Sequence, residues 1–221
     1  MYLTRFAINP ARRGSWTLLA SPQAMHAAVL AAFPPGAASG AAQDGRVLWR
    51  VDRGEQHRAD LYLASPTQPD LTHLVEQAGW PATQTWQTRD YRPLLYRVQA
   101  GQRWVFRLTA NPVHSARVRD GEDTKPLAHV TAAQQQQWLI DRTERLGFHV
   151  AAGARGEPGV VVRDRRTARF TRQGKTVTVA MATFDGVLEV LDPDALRTAL
   201  VRGVGRAKGY GCGLLTLAPV P

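Results

Sequence analysis

The stretch from Leu200 to Leu217, LVRGVGRAKGYGCGLLTL, holds the densest set of residues that could do chemistry. Glycines stand at 203, 205, 209, 211 and 213, with Arg202, Arg206 and Lys208 interleaved and Tyr210 as the one aromatic. Glycine lets a backbone approach a ligand closely. Successive exposed N–H groups in such a loop form an anion-binding concavity. With cations at the same place, the natural ligand is a phosphate. Neither common nucleotide fingerprint fits. The only Gly-Lys-Thr, at Gly174-Lys175-Thr176, has Arg169 where a Walker loop needs its first glycine. A dinucleotide fold needs a βαβ unit, and only a strand's length follows Gly213. The plainer reading is a glycine-rich turn before a last strand.

A second basic feature runs from Arg163 to Lys175, R-D-R-R-T-A-R-F-T-R-Q-G-K: Arg163, Arg165, Arg166, Arg169, Arg172 and Lys175 against the single acid Asp164. It predicts a β-hairpin turning near Asp164 to Thr167. Its arginines could grip the phosphates of a duplex, and a solvated basic loop is the plainer reading. In an extended segment alternate side chains share a face. That sets Arg163, Arg165 and Arg169 in one parity and Arg166 and Arg172 in the other, provided no bulge intervenes. Arg117 and Arg119 are weaker candidates.

Among the six histidines, His57, His73, His114, His129 and His149 are scattered without a cysteine pair or a carboxylate in metal-ligand register. The sequence predicts no metal and no cofactor. His26 lies on the segment SPQAMHAAVLAAFPP, where Ser21 is an N-cap, Pro22 occupies the first helical position and Pro34-Pro35 ends the helix. Met25, Ala28, Val29, Ala32 and Phe33 form its apolar stripe. At a step of about 100° per residue, His26 falls about 80° from the stripe's centre, at the edge of the buried face.

These groups need elements to hold them. The chain has 221 residues, 44% of them apolar, enough for one large or two small cores. Its net charge of +10 points to a polyanionic partner. One cysteine, Cys212, excludes an internal disulfide and suits a reducing cytosol. No apolar run reaches the roughly 18 residues of a membrane span, and the N-terminus lacks a signal peptide's apolar core. Met1 to Asn9 alternates as a strand, followed by a loop at Arg12 to Gly14. After that helix and a small-residue segment, Gly36 to Gly45, strands are expected at Arg46 to Asp52 and Ala59 to Ala64. A helix, Leu71 to Ala78, is capped by Asp70 and stopped by Gly79, and a strand covers Thr83 to Asp90. This order is the ferredoxin-like βαββαβ unit. The order repeats, as a strand at Arg103 to Ala110, a helix at Thr131 to Leu146, and strands at Gly159 to Arg163, Lys175 to Phe184 and Gly186 to Leu191. A helix at Asp192 to Arg202 and a strand at Leu214 to Leu217 complete it. The fold class is α+β, two tandem ferredoxin-like domains, residues 1–95 and 96–221.

The residues also resemble a known family. The MYLTR strand, the His26 helix followed by Ala-Ala-Phe-Pro, Asp90-Tyr91-x-Pro93-Leu94-Leu95 and FRLTANPV at Phe106 to Val113 carry the resemblance. So do the Trp138-Leu139 helix ending Leu146-Gly147-Phe148 and the closing glycine motif from Gly203 to Gly213. Over nearly its whole length the chain is similar to the CasE-type CRISPR-associated endoribonucleases. The resemblance implies metal-independent cleavage of CRISPR precursor RNA at the base of the repeat hairpin. It also implies that the product stays bound and joins the other subunits of an RNA-guided effector complex, with no membrane involved. His26 matches the family's catalytic histidine. The tyrosine that some relatives carry three residues earlier is Gln23 here. Histidine titrates near neutral pH and suits the base or acid that 2′-OH attack needs. Lys208 is the leading candidate for transition-state charge, with Arg206 next. RNA binding falls to Arg163, Arg165, Arg166, Arg169, Arg172, Lys175, Arg202, Gly203, Gly205, Arg206, Gly209 and Gly211. The alternatives are a non-catalytic RNA-binding module and a basic assembly subunit. Tandem ferredoxin-like domains serve as RNA platforms, though no R-G-F-G-F-V-type strand is present.

Overall fold

The computed structural model of the chain describes residues 1–35, 45–54, 58–81, 86–116, 125–153 and 156–221. The expectations for residues 36–44 and 83–85, and those for His57, Arg117 and Arg119, lie outside the described residues.

The first unit runs β1 (Tyr2–Ile8), α1 (Arg13–Ala20), α2 (Pro22–Leu30), β2 (Leu48–Arg53), β3 (Ala59–Ser65), α3 (Thr72–Ala78) and β4 (Trp86–Asp90). Its four strands pair antiparallel in the order β2-β3-β1-β4. Alternation along β1 turns Phe6 and Ile8 inward, where they meet Met25 and Val29 of α2, Leu61 and Leu63 of β3 and Leu74 of α3. The Ser21 cap holds, while α3 starts one residue later than expected, with Leu71 at its N-cap position and Asp70 one residue before it. The Ser21 hydroxyl accepts from the Ala24 N–H, and the Asp70 carboxylate accepts from the Thr72 N–H at 2.9 Å.

One expectation fails here. The loop read at Arg12 to Gly14 opens a helix, α1, which has no side-chain cap to announce it. Gly14 lets α1 lie directly on α3, because a Cβ there would stand 2.3 Å from the Gln77 carbonyl oxygen. The Arg12 guanidinium donates to the Val75 and Gly79 carbonyls and fixes the crossing.

A short helix, α4 (Arg92–Arg97), leads into the second unit. Its elements are β5 (Arg103–Ala110), β6 (Val113–Ala116), β7 (Lys125–Ala128), α5 (Ala132–Thr143), β8 (Phe148–Val150), β9 (Val160–Arg172), β10 (Lys175–Val190), α6 (Pro193–Arg202) and β11 (Leu215–Pro219). The sheet order β11-β5-β10-β8 repeats the first unit's topology, with β9 pairing along the rest of β10. The fold is two ferredoxin-like units in tandem. Phe106, Leu108, Trp138, Leu139, Phe148, Phe184, Leu188, Leu196 and Leu200 fill the second core. Helix α4 and the β6–β7 hairpin were not foreseen.

The basic hairpin departs from its expected shape. β9 runs unbroken through Arg172, and the turn is Gln173-Gly174, both left-handed (φ 49° and 73°), the two-residue connection that matches strand twist. No turn forms near Asp164 to Thr167. A bulge stands there instead, with Asp164 (φ 49°) and Arg165 opposing the single residue Ala182. β10 is likewise one strand from Lys175 to Val190, not two.

A buried arginine joins the two sheets. Arg50 on β2 is 2% exposed. Its guanidinium holds both Asp52 carboxylate oxygens (2.6 and 3.0 Å), the carbonyls of Arg107 and Leu214 (3.0 Å each) and the Thr216 hydroxyl (3.0 Å). Around it Leu48, Ala64 and Leu214 form a small apolar seam with Met1 and Leu3.

Candidate active site at the junction of the two units

His26 projects from α2 toward the glycine loop that follows α6. Met25 and Val29 anchor the helix in the first core, which leaves His26 half-buried at the edge, as the periodicity predicts. The imidazole rests on the backbone of Gly209, and a Cβ there would stand 3.3 Å from Nε2. The Tyr210 ring meets it edge-on with centroids 6.3 Å apart. Burial first, and then the positive charges of Arg172 and Arg46, hold the His26 pKa below its ordinary value. The ring is therefore neutral at neutral pH and able to take a proton. Its Nδ1 is buried without a protein partner among the described residues, and so is Oε1 of Gln23, one turn earlier.

The loop is pinned at both ends. The Val204 N–H donates to the Gly213 carbonyl (2.9 Å), and the Gly213 N–H donates to Thr109 on β5 (2.7 Å). Its glycines are there largely for packing. A Cβ would meet Leu48 at Gly203, Trp138 at Gly205 and Trp49 at Gly211, the last at 2.7 Å. Gly211 also needs its positive φ of 82°, whereas Gly209 has no positive φ and serves by close approach alone. Cys212 is fully buried and its thiol is pushed up to about 12 by burial, so it is inert.

Lys208 sits at the base of the loop, and its ammonium donates to the Arg202 carbonyl at the C-terminus of α6 (2.9 Å). Burial, with Arg46 second, lowers its pKa. Arg202 and Arg206 are exposed.

The charge of Arg46 thus reaches both His26 and Lys208, and sequence reasoning missed it. It reads as the first residue of a strand, and only folding brings it here, with its N–H on the Val201 carbonyl (3.3 Å).

The hairpin cations separate into distinct settings. Arg163 is ion-paired to Asp185 at 3.0 Å. Arg165 is bound to Gln135 and to the Val130 carbonyl on the α5 side. Beyond the bulge, cross-strand partners share a face. Arg166, Arg172 and Lys175 therefore lie with Ala168, Phe170, Val177 and Val179, the apolar residues that pack on Ala207, Tyr210 and Cys212. Arg172 donates to the Tyr210 hydroxyl (2.9 Å), which brings the hairpin to the histidine. Arg169 is exposed on the opposite face.

Among the described residues no three His, Cys, Asp or Glu side chains gather as metal ligands, and no helix is long and apolar enough to cross a membrane.

Two ferredoxin-like units that bring a helix histidine onto a basic glycine loop define the class to which comparison with known proteins points. The family described as "CRISPR associated protein" matches residues 1–219, and the chain belongs to it. It is 34% identical to the CRISPR-associated endoribonuclease Cse3 of Thermus thermophilus over 227 residues, covering 99% of this chain and all of that one. It is 33% identical over 136 residues to the CRISPR system Cascade subunit CasE of Escherichia coli, covering 57% of this chain and 62% of that one. A solved structure of Cse3 bound to a 19-nucleotide RNA is similar with a TM-score of 0.79 at 33% identity, over 99% of this chain and all of that chain.

Proposed function

We propose that this chain is a metal-independent endoribonuclease. It binds the hairpin of a CRISPR repeat, cleaves the precursor RNA at the stem base and keeps the product as a subunit of a cytoplasmic, RNA-guided effector complex. The observation that carries this reading is the imidazole of His26 set against Gly209 of the basic loop, with its pKa lowered by burial and then by the charges of Arg172 and Arg46. Residues 1–95 form the domain that presents the histidine, and residues 96–221 form the domain that presents the loop and hairpin.

RNA supplies its own nucleophile. His26 takes the proton from the 2′-OH as the O2′–P bond forms. The P–O5′ bond then breaks, and the 5′-oxygen leaves with a proton returned by the imidazolium or by water. Products are a 2′,3′-cyclic phosphate and a 5′-hydroxyl. Lys208, Arg206 and the loop amides at Gly205, Gly209 and Gly211 stabilise charge on the crowded phosphate, whereas the Gly203 N–H is taken by the Ala199 carbonyl (2.9 Å) and serves the helix end. Arg202 holds a backbone phosphate at the stem base, and the hairpin cations hold the stem, the natural mode for A-form RNA, whose major groove is too narrow to read.

The test is incubation with repeat hairpin RNA in excess chelator. Cleavage should persist and leave a cyclic phosphate. A 2′-deoxy nucleotide at the cut should bind and remain intact. Cleavage that requires an added divalent ion would overturn the reading.

A further inference from the structure

A second groove opens at α6, the helix that leads into the catalytic loop. It encloses about 530 Å³ between α4 and α6, and Tyr96, Leu95, Val201, Arg92, Arg197 and Arg202 line it. Tyr96 is 74% exposed, the most exposed large apolar side chain among the described residues. A short helix holds this ring in water, although turning it inward would remove a large apolar surface.

The charge of the groove is uneven. Arg92 is bound to both oxygens of Asp90, and Arg197 is committed to Asp194 and to the Leu95 and Val98 carbonyls. Arg202 has no carboxylate partner among the described residues, so one cation stands available beside one open aromatic face. The wall of the groove is bonded to the catalytic loop and to Arg46. The Arg202 carbonyl accepts from Lys208, and the Val201 carbonyl accepts from the Arg46 N–H.

We propose that this groove binds the single-stranded RNA that flanks the stem base, with a base stacked on Tyr96 and its phosphate on Arg202. A stacking ring with a backbone cation is the minimal unit of single-strand binding, and it tolerates any base. Duplex RNA does not fit that unit, because its bases are already stacked. The proposal rests on the endoribonuclease reading and adds a division of labour: the hairpin and the His26 face take the stem, and the α4–α6 groove takes the flank.

The experiment compares a blunt repeat hairpin with the same hairpin carrying about six unpaired nucleotides on its 5′ or 3′ side. Wild-type protein should bind one flanked form more tightly than the blunt one. Tyr96→Ala should remove that gain, a loss of about 5- to 100-fold, the range for one stacked base. Tyr96→Phe should keep it. All three proteins should bind the blunt hairpin equally and, at saturating protein, cut equally a hairpin extended by a single nucleotide past the cut, and an abasic flank on wild-type protein should reproduce the Tyr96→Ala loss. If neither flank adds affinity, or if Tyr96→Ala keeps the gain, the proposal is overturned. If Tyr96→Ala keeps the gain but weakens association with the other effector subunits, the groove is a protein-docking face, which also overturns it. A wild-type protein that binds none of these hairpins and cuts none that carries a flank would sink the endoribonuclease reading itself.

Discussion

Gly209 and His26 meet across the junction of the two units, and a side chain at 209 would press on the imidazole: a Cβ there would stand 3.3 Å from Nε2, close enough that the ring must shift. The histidine comes from the first sheet's helix layer and the glycine from the loop before the last strand of the second. Catalytic geometry is therefore a property of how the units meet. Gly209→Val should displace the imidazole and lower cleavage at least tenfold, with little loss of stability, because 209 does not need a positive φ. Gly211→Val should instead destabilise the fold, by strain at φ 82° and collision with Trp49. Thermal melts and single-turnover rates separate the two. Equal effects on both variants would refute the assignment.

The pH profile should carry the mark of His26. Burial and two cations lower its pKa, so the acidic limb of the cleavage profile should lie below the ordinary histidine value of about 6.5. Activity rises with pH through that limb and levels off by neutrality. Arg172→Gln removes one of the two charges, which should shift the limb toward higher pH and leave burial in force. The linked stability runs the same way. The unfolded chain protonates His26 first as pH falls, so its contribution is present above about 6.5 and is lost as pH drops toward the lowered folded value. A limb that stays put in Arg172→Gln would show that the charge does not reach the ring.

Arg50 should be the most costly single polar residue to remove. Arg50→Met leaves the Arg107 and Leu214 carbonyls without their donor and strips Asp52 of its bidentate partner. The expected loss is about 3–5 kcal/mol, the range for breaking a buried pair. Denaturant unfolding measures it, and a loss below about 1 kcal/mol would mean that the seam holds without it.

Much of this was legible in the sequence, for identifiable reasons. The strand Arg103–Ala110 announces itself by alternation, and α2 by Ser21 and Pro22. Helix α1 was hidden because Arg12 offers no capping side chain. The bulge at Asp164 left no sign, and it shifts the pairing register on which any assignment of faces beyond it depends. The glycines were legible as a type, but not the Leu48, Trp138 and Trp49 they make room for, since those contacts exist only after folding. Arg46 and Arg50 look like ordinary polar positions of a strand. Their roles come from the other unit, which no local pattern encodes.

The hairpin's salt dependence follows from its faces. Arg163 is neutralised by Asp185 and Arg165 is turned to the α5 side, so the phosphate contacts fall to Arg166, Arg172 and Lys175 on the side of the glycine loop, Arg172 keeping donors beyond its one bond to Tyr210. Replacing these three with alanine should flatten the slope of log affinity against log salt by about 2–3 units, at roughly 0.9 per phosphate as calibrated on B-DNA. Arg169→Ala, on the opposite face, should change it by less than about one unit. A larger effect at Arg169 would put the RNA on the other side of the ribbon.

The most direct test is the cleavage rate of His26→Ala measured with saturating protein on the repeat hairpin, beside its affinity for the same RNA. The rate should fall about 100- to 10,000-fold, the range for losing one general acid–base group. The affinity should stay within about threefold, because a neutral imidazole contributes little attraction to phosphate. Cleavage at the wild-type rate would remove His26 from the mechanism and contradict the account.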